Sequence, residues 1–271
     1  MIAFPNIDPV AFRIGPLSLR WYGIMYVLGF TASYLLVRRQ IRHPVRNGEG
    51  TEAAYPEGFL DNLYASIIIG LLIGARLGYV LFYGWDLVRN DPLEVLAVWH
   101  GGMSFHGGLI GGIFAGVWRC RRTGVDPWRT ADLVVVTAPI GLGLGRLGNF
   151  INGELYGRVT NVPWAMVFPG GGPFPRHPSQ LYEFLLEGVA LFLILWLLRL
   201  VVRRDGVLAA VFLLCYGSFR IIAEFFREPD SQLGFIIGSF TMGQILSAAM
   251  LLAGTIVAVI AVRRPASSRA S

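Results

Sequence analysis

The sequence predicts an all-α, polytopic membrane protein with seven transmembrane helices, and three observations lead there. Hydrophobic residues fill 54% of the 271 positions and charged residues only 15%, where a soluble domain carries roughly 25% charged residues. The apolar residues fall in long runs, and about 20 of them in helical form cross the hydrocarbon core. Only helices and closed barrels satisfy their backbone groups in lipid, and these runs are too long for barrel strands. Finally, the basic residues are all arginine, 23 of them without one lysine, and they cluster beside the apolar runs.

The spans are about Trp21–Val37, Leu60–Tyr83, Gly101–Trp118, Ala131–Ile151, Gln180–Leu198, Gly206–Phe225 and Phe240–Val262. The third is interrupted by glycines and is the least regular. Together they make one integral membrane domain over residues 1–271. The proline- and glycine-rich stretch 152–179 forms a small outer cap. Fourteen arginines fall in the first, third and fifth loops and the tail, against six in the opposite loops. The arginine-rich side faces the cytoplasm, so the amino terminus lies outside and the carboxyl terminus inside. Met1–Arg20 carries no apolar core or small-residue cleavage pattern of a signal peptide. The net charge of +6 reads as membrane orientation, with no nucleic-acid partner. Cys120 and Cys215 are not placed for a structural disulfide. The four histidines, His43, His100, His106 and His177, lack metal-ligand spacing. No metal or organic cofactor is expected.

Glycines recur four residues apart at Gly70, Gly74 and Gly78, at Gly108, Gly112 and Gly116, and at Gly141 and Gly145. This spacing lets helix backbones pack closely in lipid.

Three arginines lie inside apolar spans: Arg76, Arg146 and Arg220. Each costs roughly 2.5–3.5 kcal/mol at mid-membrane, so such residues face the bundle interior and pair with anions. Counted from the inner boundary each sits roughly 20–24 Å up its helix. Tyr22, His106, Asn149, Asn152 and Glu154 reach a similar level. Tyr216 and Glu224 flank Arg220 at i−4 and i+4 on one helix face. Glu183 and Glu187 lie in the first turns of the fifth span. One reading is internal salt bridges, Arg220 with Glu224 and Arg146 with Glu154. The other is a guanidinium cluster, open to the outer leaflet, that grips the phosphate of a phospholipid. His106 stands among six glycines, which leave space for a bulky ligand. It is either a packing group or a general base. A transporter or flippase for an anionic lipid or solute would also use embedded arginines. It needs a path to both faces, and no comparable charge cluster exists in the cytoplasmic half.

The run G-R-L-G-N-F-I-N-G-E-L-Y-G-R at Gly145–Arg158 resembles the signature of prolipoprotein diacylglyceryl transferases. So do Trp21–Tyr26, Gly101–Gly111, Arg176–Glu183 and Tyr216–Arg227, in order and at compatible spacing. The stretch between Pro163 and Arg176 is shorter than in that family. The resemblance implies transfer of an sn-1,2-diacylglyceryl group from phosphatidylglycerol to the lipobox cysteine of a pre-lipoprotein signal peptide. A thioether forms and glycerol phosphate leaves, in the bacterial cytoplasmic (inner) membrane, among membrane lipids. It also implies roles for Tyr22, His106, Arg146, Asn149, Glu154, Gly157 and Arg220. His106 would take the thiol proton or supply a positive field. Arg146 and Arg220 would stabilise the leaving phosphate. Asn149 and Tyr22 would donate hydrogen bonds, and Glu154 would orient an arginine. Arg76 is expected to be structural or lipid-orienting.

Overall fold

The computed structural model describes residues 2–5, 7–15, 17–43, 55–90, 92–97, 101–228, 235–237 and 240–264. The chain forms two compact units, one of Met1–Glu49 with Ala131–Ser271 and one of Gly50–Thr130.

The first unit opens with a hairpin, β1 (Val10–Ile14) and β2 (Leu17–Arg20), turning at Gly15 with φ +58°. Helix α1 (Trp21–Arg42) follows directly. Further on, α5 (Pro127–Val135), which begins in the second unit, and α6 (Ala138–Ile151) meet at a bend of 41°. Pro139 in the first turn of α6 has no N–H to give to a helix running through from α5. The Thr137 hydroxyl fills the bend by donating to Val134 O at 2.8 Å, and it also lies 2.6 Å from the Ser33 hydroxyl on α1. The fifth apolar run is α7 (Ser179–Glu183), a π-helical segment (Phe184–Ala190) and α8 (Leu191–Leu198) without a break. Then come α9 (Val207–Glu224), the short strands β3 (Phe235–Ile237) and β4 (Phe240–Thr241), and α10 (Met242–Arg263).

Two helix starts are capped from a distance or in sequence. Gly206 precedes α9 with φ +91° and brings no cap of its own. The Asp132 carboxylate on α5 accepts from Gly206 N and Ala209 N, each at 2.8 Å, and satisfies orphan donors of α9. Helix α10 begins with a capping box between Thr241 and Gln244. Val136, Leu191, Leu195 and Leu208 make the apolar core of this unit.

The second unit pairs α2 (Phe59–Tyr83) with α4 (Phe105–Thr123), joined by α3 (Trp85–Asn90) and a 3₁₀ turn at Pro92–Leu96. The glycine rows form the contact. A Cβ at Gly78 would stand 2.9 Å from Gly107 Cα, and one at Gly111 equally close to Gly74 Cα. Gly108 faces Leu71 and Ala75, and Gly112 faces Ile67 and Leu71. The four glycines just after His106 are therefore occupied by helix packing, which corrects the expectation that they leave room for a ligand. The third apolar run is also a regular helix. It begins only at Phe105, because Gly101 and Gly102 are left-handed (φ +86° and +68°) and Ser104 caps by accepting from Gly107 N.

Phe59–Tyr83, Ser179–Leu198, Val207–Glu224 and Met242–Arg263 are long and apolar enough to cross a membrane, and the bent α5–α6 pair makes a fifth. Helices α1 and α4 occupy the remaining two expected positions. Their last turns carry arginines, Arg39 and Arg42 in α1 and Arg121 and Arg122 in α4, which lower their apolar character.

Candidate functional site

Arg146 and Arg220 come together in the first unit, and the fifth apolar run carries the groups that unite them. Glu183 is the hinge of the arrangement. One of its oxygens takes Arg146 Nε at 2.7 Å and the other takes Arg220 Nη1 at 2.7 Å. Glu187, one turn later, adds Arg146 Nη2 at 3.4 Å and Arg220 Nη1 at 3.8 Å. Glu224 holds Arg220 Nη2 at 2.9 Å, as its i+4 spacing predicts, and accepts the Thr241 hydroxyl at 2.9 Å. The Glu183 and Glu187 side chains are 1% and 0% exposed, whereas Arg146 keeps 19% and Arg220 11%. The carboxylates are thus the floor of the cluster and the guanidiniums its accessible face.

Backbone clearance makes this possible. Gly143 on α6 and Gly188 in the π-helical segment touch backbone to backbone. A Cβ on Gly188 would lie 2.8 Å from Gly143 Cα. One turn past that contact, α6 presents Arg146 to Glu183 and Glu187. A π-helical insertion in the same segment is a feature frequent at functional sites.

Glu154 does not pair with Arg146, contrary to one of the two expected salt bridges. Helix α6 ends at Ile151 and the chain turns through Gly153 (φ +65°) and Leu155 (φ +58°). The turn folds Glu154 back on α6, where its Oε1 accepts from Asn149 Nδ2 at 2.9 Å and Asn152 Nδ2 at 3.1 Å. Gln180 Nε2 donates to Glu154 O at 2.6 Å, and the Ser179 hydroxyl to Leu155 O at 3.0 Å. A left-handed leucine is a strained conformation, held here by these bonds. Arg146 takes its anions from Glu183 and Glu187, while Glu154, three residues past the end of α6, is engaged by Asn149 and Asn152.

Tyr22 opens α1 beside this turn. Its ring lies over Gly148, where a Cβ would come 2.8 Å from Tyr22 Cδ2, and its hydroxyl is 3.2 Å from that of Tyr26. Tyr216, one turn before Arg220, stacks on Phe212 at 5.8 Å and feels the charges of Glu187, Arg146, Arg220 and Glu183. Gly157 sits where three backbone segments cross. It donates to His177 O at 2.9 Å, and a Cβ there would be 2.7 Å from His177 Cβ. Its need for glycine has a packing cause. Around it Arg176 donates to Gly171 O and Gly157 O and pairs with Glu228 at 3.0 Å. His177 Nδ1 lies 3.0 Å from the Tyr182 hydroxyl, and burial holds this imidazole below its ordinary pKa.

Arg76 and His106 belong to the second unit. Arg76, 5% exposed, donates to Val95 O at 2.8 Å, Gly101 O at 2.5 Å and Gly102 O at 3.1 Å, and lies 5.8 Å over the Tyr79 ring. Those bonds tie the glycine pair before α4 to α2. His106 stands in the first turn of α4, exposed, edge-on to Phe105 at 5.6 Å.

Glu183 and Glu187 were visible in the sequence as acids in an apolar run, but not as the residues that join the two arginines. Their i, i+4 spacing inside a span was the signal, since an acid there needs a cation as much as an embedded arginine needs an anion.

A family model described as prolipoprotein diacylglyceryl transferase matches residues 9–260. The chain is 54% identical over 257 residues to a protein of Desulfotalea psychrophila named phosphatidylglycerol–prolipoprotein diacylglyceryl transferase, covering 92% of each. It is 53% identical over 261 residues to one of that name from Geobacter sulfurreducens, covering 96% of this chain and 98% of the relative. A third, from Pseudomonas paraeruginosa, is 48% identical over 268 residues, 98% of each.

Proposed function

Because the chain belongs to the prolipoprotein diacylglyceryl transferase family, we propose that Arg146 and Arg220 are its grip on the phosphate of phosphatidylglycerol. The protein is a transferase, moving a diacylglyceryl group from phosphatidylglycerol to a prolipoprotein. The observation that carries the phosphate reading is one carboxylate, Glu183, aligning two guanidiniums at 2.7 Å each. Two planar cations held side by side match the oxygens of a phosphodiester.

The acceptor is the lipobox cysteine of the prolipoprotein signal peptide. The thiol sulfur attacks the sn-3 carbon of the diacylglyceryl group. The C–O bond breaks with its electron pair going to the phosphate, and glycerol phosphate leaves. The thiol gives up its proton to a general base, a role that the family resemblance implies for His106. Negative charge on the phosphate grows in the transition state, and preorganised guanidiniums act on that charge without reorganising. Asn149, Glu154, Tyr22, Tyr216 and Glu224 surround the grip and orient the headgroup. Gly157 lets its own segment pack against those of His177 and Phe226.

The helices support seven crossings of the inner membrane, with the amino terminus outside and the site toward the outer leaflet. At 1.5 Å per residue α1 and α4 are about 33 Å and 28 Å long, close to a hydrocarbon core of about 30 Å. Their arginine-bearing ends then meet the cytoplasmic headgroups. Purified protein, phosphatidylglycerol and a lipobox peptide are the components of the test. Mass spectrometry finds a diacylglyceryl thioether on the peptide cysteine. Unmodified peptide with a folded protein refutes the reading.

A further inference from the structure

The phosphate grip carries an unbalanced charge. Two guanidiniums, Arg146 and Arg220, meet three carboxylates, Glu183, Glu187 and Glu224. A phosphodiester arriving there adds one more negative charge. Buried charge without a partner is so unfavourable that the group involved neutralises instead. One carboxylate must therefore become an acid when lipid binds.

The geometry separates the three. Glu183 spends both oxygens on short bonds of 2.7 Å. Glu224 is held by Arg220 at 2.9 Å and by the Thr241 hydroxyl at 2.9 Å. It also lies against the first turn of α10, where a Cβ on Gly243 would be 2.7 Å from its Oε2. A helix amino terminus favours the charged carboxylate. Glu187 has only two long contacts, a hydrogen bond from Arg146 Nη2 at 3.4 Å and Arg220 Nη1 at 3.8 Å; its Oε1, like Glu224 Oε2, is buried without a hydrogen bond, but Glu224 keeps the Thr241 hydroxyl and the closer arginine. It is the anion that a phosphate displaces most easily.

We propose that Glu187 is the exchangeable counter-ion of the phosphate grip: as the phosphodiester takes its place on Arg146 and Arg220, Glu187 takes up one proton from water. This rests on the reading of the two arginines as the lipid site. The charged and titratable groups facing Glu187 are Arg146 from α6, Tyr216 and Arg220 from α9 with Glu224 behind them, and Glu183 one turn back. Helix α8 brings none, its sequence being LFLILWLL. Lipid binding is then linked to pH with a fixed sign. Where free Glu187 is ionised, the dissociation constant rises about tenfold for each pH unit, because one proton enters with each lipid.

The probe is dihexanoyl phosphatidylglycerol, a phosphodiester that does not itself titrate near neutrality. Calorimetric titration of the purified protein in two buffers of different ionisation enthalpy counts the protons taken up. Wild type takes up close to one per lipid, and its affinity falls as pH rises. Glu187→Gln takes up none, and its affinity does not move with pH. Wild-type binding without proton uptake overturns the proposal, and so does uptake that persists in Glu187→Gln. Should that variant not assemble, the wild-type proton count and pH slope still decide. Lipid binding that is unchanged in Arg146→Ala and Arg220→Ala refutes the underlying phosphate site instead, whatever the proton count.

Discussion

Replacing Gly188 with alanine tests whether helix clearance sets the geometry of the charge cluster. The added Cβ would sit 2.8 Å from Gly143 Cα, where carbon atoms prefer about 3.5–4.0 Å. The π-helical segment and α6 must therefore separate by about 1 Å. The Arg146 Nε–Glu183 ion pair then opens from 2.7 Å to about 3.7 Å, and the 3.4 Å hydrogen bond from Arg146 Nη2 to Glu187 stretches past about 4 Å and is lost. Losing one charge-assisted hydrogen bond is worth about 1.5–3 kcal/mol. If that bond aligns Arg146 for the phosphate, turnover falls between about tenfold and a hundredfold. Gly141→Ala on the same helix is the control, since a Cβ there meets nothing within 4 Å. It keeps activity, and alanine is the better helix former by about 1 kcal/mol. The assay is initial-rate thioether formation on a lipobox peptide in proteoliposomes, with folding checked by size exclusion and thermal melting. Wild-type rates in Gly188→Ala would refute the reasoning. An equal loss in Gly141→Ala would show that any added methyl on this surface harms the enzyme, whatever its clearance.

Arg146→Ala and Arg220→Ala each abolish turnover in protein that still inserts, and lysine at either place rescues poorly because it lacks the planar fork; the same peptide assay reads this. Arg76→Ala loses only part of the activity, with a lowered melting temperature, because its three carbonyl bonds hold the segment before α4; complete loss without destabilisation would place it in the reaction. If His106 takes the thiol proton, activity rises through an apparent pKa of about 6.5, and His106→Gln loses most of its rate and that inflection. Superimposable pH–rate curves for the two proteins would remove His106 as the base. A carboxyl-terminal reporter that works only in the cytoplasm is active in a seven-span protein with its amino terminus outside; activity of the opposite, outside-only reporter would overturn the topology.

The helix positions were legible because hydropathy runs and helix lengths share one cause, the apolar thickness to be crossed. Expected spans at Leu60–Tyr83 and Gly206–Phe225 became Phe59–Tyr83 and Val207–Glu224. The run at Gly101 shifted to Phe105–Thr123, since two left-handed glycines and a serine cap start the helix late while Arg119–Arg122 continue it. The bend before α6 and the π-helical segment were not legible. The first depends on how Pro139 meets the preceding helix, the second on hydrogen-bond register that no residue pattern announces. In the site, Arg220–Glu224 was legible because both lie on one helix face. Arg146–Glu183 was not, because it joins residues 37 apart in sequence across the Gly143–Gly188 contact. Glu154 misled because nearness in sequence is not nearness in space: eight residues of helix would span about 12 Å, and the turn at Gly153 and Leu155 hands Glu154 to Asn149 and Asn152 instead.

Stability does not account for the five charges. A buried ion pair replaced by apolar residues of similar size is often neutral or stabilising, while removing one partner costs about 3–5 kcal/mol. The apolar spans around Arg146, Arg220, Glu183, Glu187 and Glu224 would insert more readily with leucine at those places. The carboxylates make the arginines tolerable in the bilayer, and that is their part in folding. They leave part of each guanidinium open, 19% of Arg146 and 11% of Arg220, where a fully satisfied pair would be sealed. A cation kept soluble in the bilayer by a carboxylate it can partly release is prepared for a second anion. A phospholipid brings its phosphate to that depth while its acyl chains stay in the membrane. If the two arginines hold the lipid phosphate as proposed, the same pairs that allow the protein to assemble set the competition that the lipid must win.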